Sequence, residues 1–368
     1  MIRILHIVSS LSKNAGIISM IMNYYREIDR NSILFDFAYF KEASDDLYYR
    51  EEIKKLGGRF YLIQKLSLTN LYQVNKEIEL IFDEYQYEIV HCHEAILVNF
   101  IQRQLRKCGV KRIIAHSHSA SLSNTTVGRI RNRLMTLGMN KYCDDIAACS
   151  ELAGDYLFGK RAFSQRGTVI VNGVDTSRYC FDEFLREKTR SVYGISDNTF
   201  LIGTVGRCET IKNQSFILDV IASEQLRDKD VCFLLIGEGP LYEELKQKAT
   251  EKGIVSKVVF AGSQADVRPF LCAMDMFVFP SLHEGFGVAL VEAQLCKLPC
   301  LANSTIPKET AISNYIQYIS VEEQAVWIRK ICEEIDKGIT DRDKRVFNSS
   351  NIDIEKCASR LENFYIHG

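Results

Sequence analysis

Short apolar runs alternate with amphipathic stretches along the whole chain. Runs at 3–9, 34–40, 59–63, 88–92, 112–115, 145–149 and 168–171 have the length and residue types of strands. Between them, 17–28, 71–84, 96–107 and 127–142 repeat apolar residues at three- and four-residue spacing and read as helices. The second half repeats the scheme, with strands at 200–205 and 276–279, a helix at 214–223, and closing amphipathic helices at 322–336 and 354–365. This alternation predicts an α/β protein with parallel sheets covered by helices on both faces. A chain of 368 residues exceeds one ordinary core. All five prolines fall in the second half, and polar sequence follows Val171-Asn172-Gly173-Val174-Asp175. We therefore expect a first domain at 1–172, a linker at 173–197, a second domain at 198–350 and a terminal helix at 351–368.

Composition narrows the class. With 46% hydrophobic and 25% charged residues and a net charge of −1, the make-up is that of a soluble globular protein with no electrostatic reason to bind nucleic acid. No apolar run reaches membrane-spanning length, and Met1-Ile2-Arg3-Ile4-Leu5-His6 leads into a strand rather than a signal peptide. Twelve cysteines include no Cys-x-x-Cys, and Cys149, Cys232, Cys272 and Cys332 stand in apolar surroundings. Reduced thiols in a cytoplasmic protein are the expectation.

The chemistry collects between Met276 and Cys300. The buried run Met276-Phe277-Val278-Phe279 is stopped by Pro280; a polar loop with Gly285, Phe286 and Gly287 follows, then a helix-forming segment from Val288 that Pro299 ends. Strand, glycine loop and helix start together present backbone N–H groups and the positive helix end to an anion. Two carboxylates, Glu284 and Glu292, flank that point. They would repel a bare phosphate but suit hydroxyl groups. A ligand carrying both phosphates and hydroxyls is a sugar nucleotide.

Other loops add candidates. Arg207 and Lys212, in Gly206-Arg207-Cys208-Glu209-Thr210-Ile211-Lys212-Asn213, can clamp a diphosphate, one as a fork and one as a point charge. Gly237 and Gly239 form a tight turn before a helix. The loop Ser12-Lys13-Asn14-Ala15-Gly16-Ile17 lacks the Gly-x-Gly-x-x-Gly of dinucleotide binders, which argues against a nicotinamide or flavin enzyme. His91-Cys92-His93 and His116-Ser117-His118 each place two imidazoles on one strand face. Further ligands at Cys92 and Glu94 point to the other face, so no metal is expected, and His91 and His93 are expected to bond loop backbone. Arg129, Arg131, Arg133, Lys141, Lys160, Arg161 and Arg166 make a basic region. It reads either as a solvated helix face or as a surface leaning on anionic lipid headgroups or a lipid diphosphate. Ser150 reads as a helix N-cap and Pro269 as a first-turn proline.

Glu284-Gly285-Phe286-Gly287 followed by Glu292, eight positions after the first glutamate, resembles the signature of the retaining GT-B glycosyltransferases of family 4 (group 1), of the capsular and exopolysaccharide assembly type. The resemblance covers most of the chain and is strongest over 200–307. It implies two Rossmann-like domains facing each other across a cleft, the first binding acceptor and the second binding donor, with the last helix packing back on the first. It also implies transfer of a hexosyl group, with retention and without a metal, from a nucleotide diphosphate sugar (a UDP-sugar) to a hydroxyl of a saccharide or polyprenyl-diphosphate-linked acceptor. Arg207, Lys212 and the N–H groups at Phe286 and Gly287 would meet the diphosphate. Glu284 would hold donor-sugar hydroxyls, Glu292 the ribose, and Val267 the base through its backbone, with Gly237 beside the nucleotide. His118, in His118-Ser119-Ala120, matches the active-site histidine, with His116 as its rival. Gly16 stands where the family carries two glycines near the diphosphate, Ala15 replacing the other. A cytoplasmic location with peripheral contact at the inner membrane face goes with this. Two alternatives stay open: a sugar-nucleotide-binding subunit without activity of its own, and a nonhydrolysing UDP-sugar epimerase.

Overall fold

All eight residues of Ile33–Phe40 are buried, and so are all six of Val231–Ile236. Apolar runs of this kind belong to strands covered on both faces. The computed structural model describes residues 1–368 except 14, 41–46, 68, 120–127, 129–133, 339–341 and 343–344. The chain divides into two units, Met1–Asp175 with Ser350–Gly368, and Thr176–Ser349.

The first unit is built on seven parallel strands: β1 (Ile2–Val8), β2 (Ile33–Phe40), β3 (Phe60–Ile63), β4 (Ile89–Cys92), β5 (Arg112–Ser117), β6 (Asp145–Ala148) and β7 (Gly167–Val169), in the order β3-β2-β1-β4-β5-β6-β7. One of its core clusters lies between the sheet and two helices, Gly16–Glu27 and the terminal Ile354–His367. The fully buried acid of β2, Asp36, accepts from Arg3 at 2.7 and 2.9 Å, from the Tyr87 hydroxyl at 2.7 Å and from the Arg59 N–H at 2.7 Å. A buried carboxylate is tolerated when its lone pairs are all used in this way. Val174 and Asp353 bridge where the chain leaves this unit and where it returns.

The second unit carries six parallel strands: β8 (Phe200–Val205), β9 (Val231–Ile236), β10 (Val258–Gly262), β11 (Met276–Phe279), β12 (Cys300–Asn303) and β13 (Ile316–Ile319), in the order β10-β9-β8-β11-β12-β13. Trp327, fully buried, anchors the helix Gln324–Lys337 to this sheet's core. The polar stretch expected as a linker is instead largely built into this unit. Its helix Glu183–Val192 buries Arg186 and Arg190, which pair with Asp275 at 2.7 and 3.2 Å.

Both sheets reverse strand order beside their first strand, between β1 and β4 and between β8 and β11. Ligands of open α/β sheets bind outside the carboxyl ends of the strands at such switch points. Ser150 caps its helix as expected, accepting from the Ala153 N–H at 3.2 Å, and Pro269 lies in the first turn of Arg268–Ala273. All twelve cysteines are free thiols. Among the described residues no helix is long and apolar enough to cross a membrane.

Candidate functional site

In the second unit, the loops that follow β8 and β11 meet at the switch point. The Leu282 N–H donates to the Ile211 carbonyl at 2.8 Å, and the Asn213 amide donates to the Pro280 carbonyl at 3.4 Å. This seam brings together two candidates that lie far apart in sequence. Lys212 Nζ stands 2.7 and 2.9 Å from the two carboxylate oxygens of Glu284. Their side chains are only 23% and 12% exposed, so the pair is partly shielded from water. Arg207 differs: it is exposed, and its guanidinium has no partner among the described residues. Its backbone is held by Gln214, whose amide donates to the carbonyls of Gly206 and Arg207 at 3.4 and 3.0 Å.

The glycine loop then turns into the helix Val288–Leu295. Gly287 takes φ +100 at the cap, a conformation that L side chains avoid. Phe286 is buried and pins the loop. Among the described residues the N–H groups of Phe286, Gly287 and Val288 have no acceptor, as expected at the positive end of a helix. Gln294 locks the far side of this helix: its amide donates to the carbonyls of Leu290 and Thr310 and accepts from Ile312 and Ser313.

Glu292 is half-buried one turn further along. Burial raises its carboxyl to about 7, partly opposed by a hydrogen bond from Tyr179 and the charge of Arg178, while Asp266 adds to the rise. Arg178 pairs with Asp266 at 3.2 Å, next to Val267, which caps the helix Arg268–Ala273. Glu292 and Val267 are thus linked through Tyr179, Arg178 and Asp266. Tyr179 and Arg178 lie in the stretch taken for a linker and were missed; the aromatic–cation pair in polar sequence was the available signal.

Gly237 has a packing requirement of its own. It sits at φ +131, and a Cβ there would meet the Gly206 carbonyl oxygen at 2.1 Å. Its N–H donates to the Gly262 carbonyl at 2.8 Å, tying the ends of β9 and β10, while the Gly206 N–H donates to the Ile236 carbonyl at 2.9 Å and ties in β8 beside Arg207.

In the first unit the histidines do not bond loop backbone, as expected for His91 and His93, but one another. His6, opposite His91 in the β1–β4 register, joins them. One chain runs from His6 Nδ1 to His93 Nε2 at 2.9 Å and from His93 Nδ1 to His118 Nε2 at 2.7 Å. The other runs from the Tyr365 hydroxyl to His91 Nδ1 at 2.6 Å and from His91 Nε2 to His116 Nδ1 at 3.0 Å. Burial holds all five rings neutral, pushing His6 and His118 down to about 3 and the others well below the usual range. Two triplets, His6/His91/His93 and His93/His116/His118, bring three ring nitrogens within 4.8 Å of one another. His93 belongs to both triplets and uses both its nitrogens in hydrogen bonds. His6 and Tyr365 were missed, since only sheet order and the returning helix bring them here.

His118 and His116 line a pocket of about 330 Å³ within this unit, beside Phe40, Ile96, Phe100 and Leu157. Ile17, at the start of the helix Gly16–Glu27, lies on the same pocket. At Gly16 a Cβ would meet nothing within 4 Å, so the backbone there faces open space. Of the basic region, Arg129, Arg131 and Arg133 lie outside the described residues. Arg166 donates to the Asn140 carbonyl and so serves the unit's own packing. Gly16 and His118 belong to the first unit, and Arg207, Lys212, Gly237, Val267, Glu284, Gly285, Phe286, Gly287 and Glu292 to the second.

Comparison with known proteins covers both units. Residues 34–178 match the family model described as Glycosyltransferase Family 4, and residues 199–333 match Glycosyl transferases group 1. The chain is 29% identical to a Bacillus subtilis (strain 168) protein named as the glycosyltransferase EpsF, over 99% of this chain and 96% of that one. It is 24% identical to the Staphylococcus aureus capsular polysaccharide biosynthesis glycosyltransferase CapH, over 86% and 82%. The Anabaena protein HepE, crystallised with UDP and glucose, superimposes with a TM-score of 0.78 over 99% of each chain at 18% identity. With both units matched and the two-sheet fold shared, the chain is a GT-B-fold glycosyltransferase related to the family 4 and group 1 enzymes.

Proposed function

We propose that the protein transfers a hexosyl group from a nucleotide diphosphate sugar, with UDP as the nucleotide, to a hydroxyl of a saccharide or lipid-linked saccharide during cell-surface polysaccharide assembly. The observation that carries this reading is the Lys212–Glu284 pair, which joins the loops after β8 and β11 at one switch point where the N–H groups of Phe286 and Gly287 are unpaired; Arg207 belongs to the same β8 loop. CapH, named for capsular polysaccharide biosynthesis and matched over most of its length, supports the cell-surface role, and HepE with UDP supports the nucleotide.

Departure of the nucleotide puts negative charge on its diphosphate. Arg207, Lys212 and the N–H groups would stabilise that charge, which removes the need for a divalent metal. Glu292 accepts from the ribose, Val267 contacts the base through its backbone, and Gly285 lets the loop close on the phosphates. Glu284 accepts from donor-sugar hydroxyls and His118 touches the sugar. Gly16 gives the diphosphate room in the first unit. No side chain is assigned as a nucleophile; retention follows if the departing phosphate takes the acceptor's proton on the face where the acceptor attacks. Of the basic region, the exposed Lys141, Lys160 and Arg161 would rest on anionic headgroups at the membrane where a lipid-linked acceptor sits.

Calorimetry with UDP, GDP and their sugars in EDTA tests the donor site. We expect one nucleotide to bind without metal and Arg207→Ala to weaken it about tenfold to a hundredfold, the range for a charge-assisted phosphate contact. No binding by any of them would overturn the assignment. The anomeric configuration of the product, read by NMR, decides retention.

A further inference from the structure

We propose that His93, backed by His6, is a positioning residue that fixes His118 as the Nδ1–H tautomer, so that His118 meets the substrate as a hydrogen-bond donor. The inference rests on the reading of His118 as a donor-sugar contact, but its core is a matter of counting protons along one chain of rings.

A neutral imidazole carries one N–H and one lone pair. His93 bonds through both nitrogens, so it donates through one and accepts through the other, and the chain His6–His93–His118 has two directions only. In the first, His118 Nε2–H donates to His93 and His93 donates to His6. His6 would then accept at Nδ1 and carry its proton on Nε2, which is buried and without a partner. In the second, His6 Nδ1–H donates to His93, His93 Nδ1–H donates to His118 Nε2, and the orphan Nε2 of His6 is a bare lone pair. Around His6 lie Phe35, with ring centroids 4.2 Å apart, and Phe37, at 5.6 Å. An orphaned buried N–H is rarer in folded proteins than an under-used acceptor, so the second direction holds.

His118 therefore accepts at Nε2 and carries its proton on Nδ1. That nitrogen has no partner among the described residues, and the ring lines the 330 Å³ pocket. A hydroxyl or ring oxygen arriving there meets a donor. His118 cannot take a proton at Nδ1 in this state, and the low basicity of the cluster keeps it neutral. The second chain, from Tyr365 through His91 to His116, leaves one donor unmatched in either direction and sets no tautomer.

The test reads the tautomer directly, by nitrogen NMR of protein labelled in its histidine rings, without any substrate. In the wild type we expect His118 to show a protonated Nδ1 and an unprotonated Nε2. His93→Asn keeps an N–H donor near the position of Nδ1, whereas His93→Leu removes it at similar size. We expect His93→Asn to preserve the His118 signature and most of the transfer rate. In His93→Leu the ring should lose its single tautomer, with turnover falling roughly tenfold, the worth of one neutral hydrogen bond. A merely structural role would lower both variants together and leave the His118 signature unchanged. An Nε2–H signature in the wild type overturns the proposal, whether or not either variant folds. The expected signature in a protein that turns over no sugar nucleotide would uphold the tautomer while overturning the proposed function.

Discussion

Lys212 and Glu284 satisfy each other in the free protein through a two-pronged ion pair at 2.7 and 2.9 Å. On the proposed function, a diphosphate that engages Lys212 competes with Glu284 for its ammonium group, and the carboxylate so freed accepts from sugar hydroxyls. The two contacts are coupled through one competition. Glu284→Gln removes the competing charge, so UDP alone should bind this variant tighter, by about threefold to tenfold, while sugar transfer falls roughly a hundredfold for want of the acceptor. Calorimetry with UDP beside a turnover assay checks both signs. Weaker UDP binding would show that the pair does not gate the cation.

Glu292 supplies a pH test. Its carboxyl sits near 7 because of burial, above the ordinary 4.5. On the proposed ribose contact, hydroxyls donate to the ionised form, so nucleotide binding should lower this value. Affinity should rise as pH climbs from about 5 to 7 and level off above it, with a proton released on binding below 7. For the free fold the sign is opposite: the folded state keeps this proton longer than the unfolded chain, so the group's contribution to stability declines as pH rises through the same window. Calorimetric enthalpies in buffers of different ionisation heat, at about pH 6, report the proton. Glu292→Gln should abolish its release.

The histidine cluster predicts where acid acts first. His6, His91, His93 and His116 are buried and held neutral, with values pushed below 6.5. Between that value and the folded one, the unfolded chain binds more protons, so stability is lost as pH falls below about 6.5. Each ring removes up to about 1.4 kcal/mol per pH unit. The first unit should unfold in acid before the second. Hydrogen exchange followed from pH 7 to pH 4 would locate the early opening in β1, β4 and β5; earlier opening in β8 to β13 would contradict it.

Gly237→Ala should destabilise the second unit by roughly 2 kcal/mol, since the residue is held at φ +131 with the Gly206 carbonyl where a Cβ would stand. The strain falls on the loop that carries Arg207, so nucleotide affinity should drop with it. Thermal unfolding and UDP binding, measured on the same preparation, check the pair of effects.

The seven strands of the first unit, with β8 and β11, were legible because their buried runs are short and contiguous, and the glycine loop because its strand, proline, glycines and glutamates follow one another; β9, β10, β12 and β13 were not delimited. What stayed hidden depends on distance. Lys212 and Glu284 are 72 positions apart and each reads as a ligand contact, so nothing local reveals their pairing. His6 becomes His91's neighbour only because β1 is flanked by β2 and β4. The helix Glu183–Val192 was read as a linker because its buried residues are polar, Arg186, Thr189 and Arg190, and a buried arginine is visible only once Asp275 stands opposite it. Tyr179 was lost for the same reason, in polar sequence far from the glutamate it faces.

The division of the chain has a consequence for its synthesis. The second unit, Thr176–Ser349, interrupts the first, whose final helix bears the Tyr365 hydroxyl that meets His91. A ribosome therefore releases every residue of the inserted unit before it delivers the piece that closes the earlier one. Until then the face of β1 and of the helix Gly16–Glu27 that this last helix covers stands open to water. The half made first is the half completed last.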